Sequence, residues 1–243
     1  MNKTDTIISL KNISVNYQKV IALYNVNLDI HPRDYIGIFG PNGSGKTTLL
    51  KVILGIIKPS MGEIKKFNLD GLTNNQLKIG YVPQNPVVNK TFPASVLEVV
   101  EMGLYGKVGF LKPLKPEHHK MAEKALHYVH MGNYKNRPIG HLSGGELQKV
   151  MVARALAFEP DIILLDEPTS SLDFVMTRDL MDLLTELNEN LNITIICINH
   201  HLDLLVPFCS RLLIMNKTIL YDGLPDDSKI NQVINQVFGL INL

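Results

Sequence analysis

Nine residues, GPNGSGKTT from Gly40 to Thr48, meet the template G-x-x-x-x-G-K-[ST] at Gly40, Gly45, Lys46 and Thr47. Glycines let the backbone curl so that successive N–H groups face one point, and a helix N-terminus behind them adds the positive end of its dipole. Such a cradle suits a nucleoside triphosphate. Gly40, Pro41, Asn42, Gly43, Ser44, Gly45, Lys46, Thr47 and Thr48 would surround it, with Lys46 reaching the β- and γ-phosphates and the Thr47 hydroxyl ligating Mg²⁺. Phosphoryl transfer also needs a metal-holding carboxylate and a group that activates water. The run IILLDEP offers both: Asp166, emerging from a buried strand at its carboxyl end, for Mg²⁺, and Glu167 as general base. Alone, an acidic pair after a strand is an ordinary solvated loop; beside a phosphate loop it completes a hydrolytic site.

A second helix start looks like an anion site without a phosphate loop. In LSGGELQKVMVARAL, Ser143 and Glu146 have capping-box spacing, and Gly144 and Gly145 leave the first N–H groups uncovered. The plain alternative is a well-capped helix after a glycine turn.

The elements that must hold these groups follow from periodicity. Between Ile8 and Ile30 the apolar residues alternate (Ile13, Val15, Tyr17; Val26, Leu28, Ile30), which predicts a mainly antiparallel β layer. DYIGIFG reads as a buried strand entering the glycine loop, and KTTLLKVILGII as the helix that leaves it. DIILLD and ITIICIN add two more buried strands between helical segments, so the core is α/β with a mainly parallel sheet. From about 86 to 140 the pattern changes to scattered prolines and helical spacing, as in Val96, Val99 and Val100 behind a Ser95/Glu98 capping box. The expected organisation is one domain over 1–243, with an α/β core and β subdomain over about 1–85 and 141–243 and an inserted helical subdomain over about 86–140. Ile230, Val233, Ile234, Val237 and Phe238 predict a terminal amphipathic helix.

Composition narrows the partners. With 243 residues, 24 Lys and Arg against 23 Asp and Glu, the chain lacks the basic excess that would neutralise a nucleic-acid backbone. Cys197 lies in an apolar run and reads as a buried thiol; it and Cys209 make no disulfide framework, which fits a reducing compartment. The opening MNKTDTIISL carries Asp5 and no continuous apolar stretch, so no signal peptide is expected. No run approaches the roughly 20 apolar residues that span a bilayer.

Motif order and spacing over nearly the whole chain resemble the nucleotide-binding subunit of an ATP-binding cassette (ABC) transporter, a P-loop ATPase. The resemblance implies a dimer in which LSGGE of one subunit, here Ser143, Gly144, Gly145 and Glu146, closes on ATP held by the phosphate loop of a second copy. It also implies that Tyr17 stacks on adenine, although its strand position equally suits a core-facing tyrosine. Gln84 in YVPQNP resembles the glutamine that touches Mg²⁺ and the attacking water and reports to the membrane partner. Asp173, closing SSLD, resembles the loop that crosses between subunits. His200 resembles the switch histidine that contacts the γ-phosphate and supports Glu167; the following position, often Asp in the family, is His201 here.

Separate transmembrane permease subunits are then implied, with this chain peripheral at the cytoplasmic face of the cell membrane. Their docking groove is expected near Pro86 to Gly103, with Glu101 exposed in it. FPASVLEVVEMGLYGKVG resembles the branch that serves zinc, manganese or iron uptake with an extracytoplasmic metal-binding protein; branches for iron chelates or cobalamin are similar there. A soluble ABC ATPase of DNA repair or the ribosome is the competing class, but the chain has one phosphate loop and no sustained heptads. A stand-alone ATP sensor leaves Glu167 without a purpose. Finally, His119, Glu123, His127 and His130 share one face if Glu117 to Met131 is helical. Such a line suits a regulatory divalent ion, or is simply a solvated helix face.

Overall fold

In the computed structural model, residues 6–67, 77–84, 92–109 and 112–238 are described. Asp5 and 86–91, the start of the expected helical segment, lie outside them. The chain divides into two compact units, Met1–Leu77 with Asn188–Leu243, and Lys78–Leu187. These boundaries fall outside both ends of the helical stretch expected over 86–140.

The first unit opens with β1 (Ile8–Tyr17) and β2 (Val20–Ile30), then β3 (Tyr35–Phe39), α1 (Lys46–Leu54) and β4 (Met61–Lys66). β1 pairs antiparallel with both β2 and β4, with Leu10 opposite Leu28 and Ile64. This is the β layer that the alternation predicts: Leu10, Ile13, Val15, Val26 and Leu28 are buried on one face. β3 is buried along its whole length, as a strand covered on both faces must be.

The second unit contains β5 (Ile79–Val82), α2 (Val96–Glu101), α3 (Tyr105–Val108), α4 (Pro116–Tyr128), α5 (Gly144–Leu156), β6 (Ile162–Asp166) and most of α6 (Phe174–Leu191). β5 and β6 run parallel, Val82 opposite Leu165. α2 begins at a complete Ser95/Glu98 capping box and buries Val96, Val99 and Val100, as the sequence predicts. α4 starts with Pro116 at its first position, and the buried His118 ring accepts the Lys115 N–H at 2.9 Å.

The chain returns to the first unit with β7 (Thr194–Ile198), β8 (Arg211–Asn216), β9 (Thr218–Gly223) and α7 (Ile230–Phe238). β3 lies between β7 and β8, parallel to both, and β9 closes antiparallel on β8. Gly37 in β3 admits the Cys209 side chain, whose Sγ would lie 3.1 Å from an added Cβ. Both cysteines are buried, and burial pushes the Cys209 thiol up to about 11. α7 is anchored by buried Ile230. Among the described residues, no helix is long and apolar enough to cross a membrane.

Candidate functional site

The phosphate loop joins β3 to α1 and is shaped by backbone that only glycine accepts. Gly45 has φ 95°, and a Cβ there would lie 2.5 Å from the Ala22 carbonyl oxygen; one at Gly40 would lie 2.2 Å from the Met215 oxygen. Lys46 is buried, and its Nζ donates to the carbonyls of Gly40 (2.7 Å) and Pro41 (2.9 Å), which fixes the ammonium within its own loop. Ser44 Oγ is buried with no hydrogen-bond partner among the described residues. A buried hydroxyl without a partner is costly, and a phosphate oxygen in this cradle would satisfy it. The loop therefore fits a polyphosphate on its own terms.

Two other expected residues lie in the same unit. Tyr17 ends β1 with 46% of its surface exposed, so it is not a core tyrosine and its ring is free to stack. His200 stands two residues beyond β7, exposed, its ring centroid 4.1 Å from that of His201. The Asn199 side chain shapes this turn by accepting the His201 N–H at 3.0 Å.

The second unit brings together the groups that would handle water and metal. Asp166 closes β6 with 4% exposure, and the Tyr81 hydroxyl approaches it at 3.5 Å. Burial, then the negative charge of Asp166, pushes the Tyr81 hydroxyl above its ordinary range. Glu167 follows with φ 48°, a left-handed backbone that a side-chain-bearing residue adopts only at a cost of about 1–3 kcal/mol. Its Oε2 accepts from Gln84 Nε2 at 2.7 Å. The proposed base and the proposed reporter glutamine are thus directly hydrogen-bonded.

The LSGGE helix start has the expected capping box. Ser143 Oγ accepts the Glu146 N–H at 3.3 Å and Glu146 Oε2 accepts the Ser143 N–H at 2.8 Å. That backbone bond holds the Glu146 carboxyl below the usual carboxylate range. Ser143 and Gly144 are exposed, whereas Gly145 is buried against Met176. Asp173 does something the sequence reading missed: its Oδ1 accepts the Met176 N–H at 2.8 Å, capping α6. The signal was available, since an aspartate immediately before a helical run is a cap pattern.

Of the two readings of His119, Glu123, His127 and His130, the geometry supports the plain helix face, and the exposure expected of Glu101 is corrected. α4 ends at Tyr128, and His130, with a left-handed φ of 59°, leaves the helix and faces Glu186 at 3.3 Å. Glu123 is bound to Lys135 at 2.7 Å, which holds its carboxyl low, and His119 pairs with Glu101. Among the described residues, no three His, Cys, Asp or Glu are grouped to hold a metal ion. Glu101, expected to be exposed, has 7% exposure, because that pairing folds it in beneath His119.

The chain is similar to known proteins over most of its length. The family model described as ABC transporter matches residues 23–170. The zinc uptake system ATP-binding protein ZurA of Listeria innocua is 39% identical over 92% of this chain and 86% of its own. The manganese transport system ATP-binding protein MntA of Synechocystis is 37% identical over 96% of this chain and 90% of its own. Among solved structures, an inward-facing metal-chelate type ABC transporter has a TM-score of 0.86 at 30% identity, covering 97% of this chain and 89% of that one. A bacterial ABC transporter cassette in dimeric form has a TM-score of 0.75 at 32% identity, covering 90% of this chain and 99% of that one.

Proposed function

The chain belongs to the ABC transporter family, and from that premise we propose that its ATP hydrolysis drives uptake of a divalent metal ion, zinc or manganese, through separate transmembrane subunits. The observation that carries the chemistry is the Gln84–Glu167 hydrogen bond of 2.7 Å beside the buried carboxylate of Asp166. It sets a general base next to a residue able to sense its surroundings. The cargo reading rests on the zinc and manganese named for the two relatives.

In this reading two copies meet head to tail around two ATP molecules. Tyr17 stacks on the adenine, and the loop from Gly40 to Thr48 holds the phosphates. Ser143 and Gly144, Gly145 and Glu146 of the second copy close the site, with Asp173 beside them. Glu167 takes the proton of the attacking water, and His200 and Gln84 hold its geometry. Thr47, Gln84 and Asp166 offer a hydroxyl, an amide oxygen and a carboxylate, the hard donors that suit Mg²⁺. When bound, the ion neutralises charge on the β- and γ-phosphates. Closure on ATP and reopening after hydrolysis form a mechanical cycle, useful when it moves a partner. The chain then sits peripherally on the cytoplasmic face of the membrane, with an extracytoplasmic metal-binding protein delivering the ion on the other side. Its helical segment, about 86–140, forms the inserted subdomain that meets the permease.

A second cargo reading, a metal chelate, is favoured by the solved structure of a metal-chelate type transporter, although at lower identity. The test is uptake of radiolabelled zinc and manganese in cells deleted for this chain. Both signals should be measured, and at least one should fall, return with the parent sequence and fail to return with Lys46→Ala. Unchanged metal uptake with lost uptake of an iron chelate or cobalamin would move the cargo. No change in any transport, and no membrane protein copurifying with the chain, would leave a soluble ATPase.

A further inference from the structure

Glu146 puts a carboxylate at a helix start that, in the proposed dimer, must close on the triphosphate held by a second copy. Ser143 and Gly144 beside it are exposed. Protonation does not remove the charge, because the bond from the Ser143 N–H holds the carboxyl below the usual carboxylate range. An ionised carboxylate at an anion site repels the anion. Something must offset it.

The offset comes from the segment Tyr134 to Pro138, which lies in the same unit. Its backbone is fastened to the start of α2: the carbonyls of Lys135 and Arg137 accept the N–H groups of Leu97 and Val96, each at 2.9 Å, and Pro138 bridges to Ser95. Ile139, the next residue, is buried and donates to the Ala94 carbonyl at 2.9 Å. The segment so anchored brings two side chains to the start of α5. The Tyr134 hydroxyl donates to the Glu146 carboxylate. The Arg137 guanidinium lies over the Tyr134 ring at 5.5 Å and approaches Glu146 Oε1 to 3.7 Å. Oε2 accepts the Ser143 N–H at 2.8 Å, so both carboxylate oxygens are turned to donors of their own chain. The Arg137 and Glu146 side chains are 43% and 26% exposed, and an ion pair at such a surface adds little to the stability of the fold. Its consequence is the local charge.

Resting on the shared-site reading above, we infer that Arg137 is a positioning residue for closure on ATP: it offsets the Glu146 charge and draws the carboxylate toward Tyr134, so that the Ser143 hydroxyl and the first N–H groups of α5 meet the second copy's triphosphate without an opposing charge. Arg137 acts through Glu146 and touches no substrate in this role. Its guanidinium is charged at every working pH, so the offset is permanent. Removing it leaves an uncompensated carboxylate on the closing surface, which weakens the association of two copies around ATP and spares the chemistry at Glu167.

The test uses the full chain with Mg²⁺ and ATP at fixed ionic strength, measuring phosphate release per chain against protein concentration for parent, Arg137→Gln, Arg137→Lys and the double variant Arg137→Gln with Glu146→Gln. Arg137→Gln should raise the protein concentration at half-maximal activity about tenfold and leave the saturated rate within about twofold of parent. Its melt should lie within about 4 °C of parent, as loss of an exposed ion pair allows. Arg137→Lys keeps the charge and should stay within about threefold of the parent concentration. The double variant should return to within about threefold as well, because glutamine still accepts from Ser143 and Tyr134 and carries no charge to offset. A merely structural brace would give no such rescue, since deleting a second contact cannot repair the loss of the first. An unchanged half-maximal concentration in Arg137→Gln would overturn the inference. So would a fall confined to the saturated rate, or a loss that Glu146→Gln fails to repair. Parent activity per chain that is independent of protein concentration would instead remove the shared site, and the inference with it.

Discussion

Gly144 and Gly145 are adjacent at the start of α5, yet replacing each with alanine should do opposite things. A Cβ at Gly145 would meet Met176 Sδ at 2.9 Å, Cγ at 3.2 Å and Cβ at 3.3 Å. The sulfur can swing aside, but the Met176 Cβ is fixed to α6. Overpacking of this kind costs about 1–3 kcal/mol, partly offset by the roughly 0.8–1.0 kcal/mol that favours alanine over glycine in a helix. The net loss of up to about 2 kcal/mol should lower Tm by up to about 8 °C at this chain length. At Gly144 the nearest atoms are Leu172 Cδ2 at 3.7 Å and the Ser171 oxygen at 3.8 Å, ordinary contacts on an exposed surface. Gly144→Ala should therefore melt within about 4 °C of parent. In the proposed dimer, however, its methyl would stand on the surface that closes over the second copy's ATP, so hydrolysis should fall by at least about tenfold, a loss of about 1.4 kcal/mol in transition-state stabilisation. Thermal melts without nucleotide and phosphate release at saturating protein concentration separate the two effects. Parent-rate hydrolysis by Gly144→Ala would remove this helix start from the ATP interface. Gly145→Ala should regain stability on adding Met176→Ala, which takes away two of the three close atoms; failure to do so would refute the packing account.

Glu167→Gln keeps a side chain able to bond Gln84 while removing the base, so turnover should drop by about 10²–10⁴ and the chain should accumulate as an ATP-bound dimer by light scattering. Undiminished steady-state hydrolysis would deny Glu167 its role. Lys46→Ala should instead lose ATP affinity itself in equilibrium binding, because the proposed phosphate contact would be lost. Hydrolysis per chain should rise with protein concentration, and mixing Lys46→Ala with Ser143→Arg chains should restore one intact composite site per heterodimer; constant specific activity from a confirmed monomer would contradict the shared site. Cys209, with its thiol raised to about 11, should form about a hundredfold less thiolate at pH 8 than it does unfolded, since its ordinary value is 9.0. Alkylation of the native chain at pH 8 should be correspondingly slow and should become fast in denaturant.

Local signals were legible in the sequence. A capping box spans four residues, so Ser95 with Glu98 and Ser143 with Glu146 could be read directly, and both are complete in the structure. Buried strands such as IILLD announce themselves by continuous apolar character, and the β1–β2 layer by alternation. Distant pairings were not legible. Gln84 meets Glu167 because β5 lies parallel to β6 with Val82 opposite Leu165, and carrying that register two residues on sets one beside the other. The sequence shows where each strand ends but not which strand is its neighbour. The burial of Glu101 is hidden for the same reason, since it depends on a histidine from another helix. The histidine line failed at a boundary: a periodicity extended three residues too far placed His130 on a helix that had already stopped at Tyr128.

The same register ties the residue proposed as base to one able to report on it. Gln84 lies just past β5, bonded to the residue proposed as base. A change in the Glu167 side chain on loss of a bound γ-phosphate would be felt by the Gln84 amide hydrogen-bonded to it. Gln84→Ala separates the two roles. If Gln84 only positions water, hydrolysis and uptake fall together. If it also carries the signal, uptake falls further than hydrolysis, and the number of ATP molecules spent per ion imported rises. An unchanged ratio in the assembled transporter would leave Gln84 a ligand and orienting group alone.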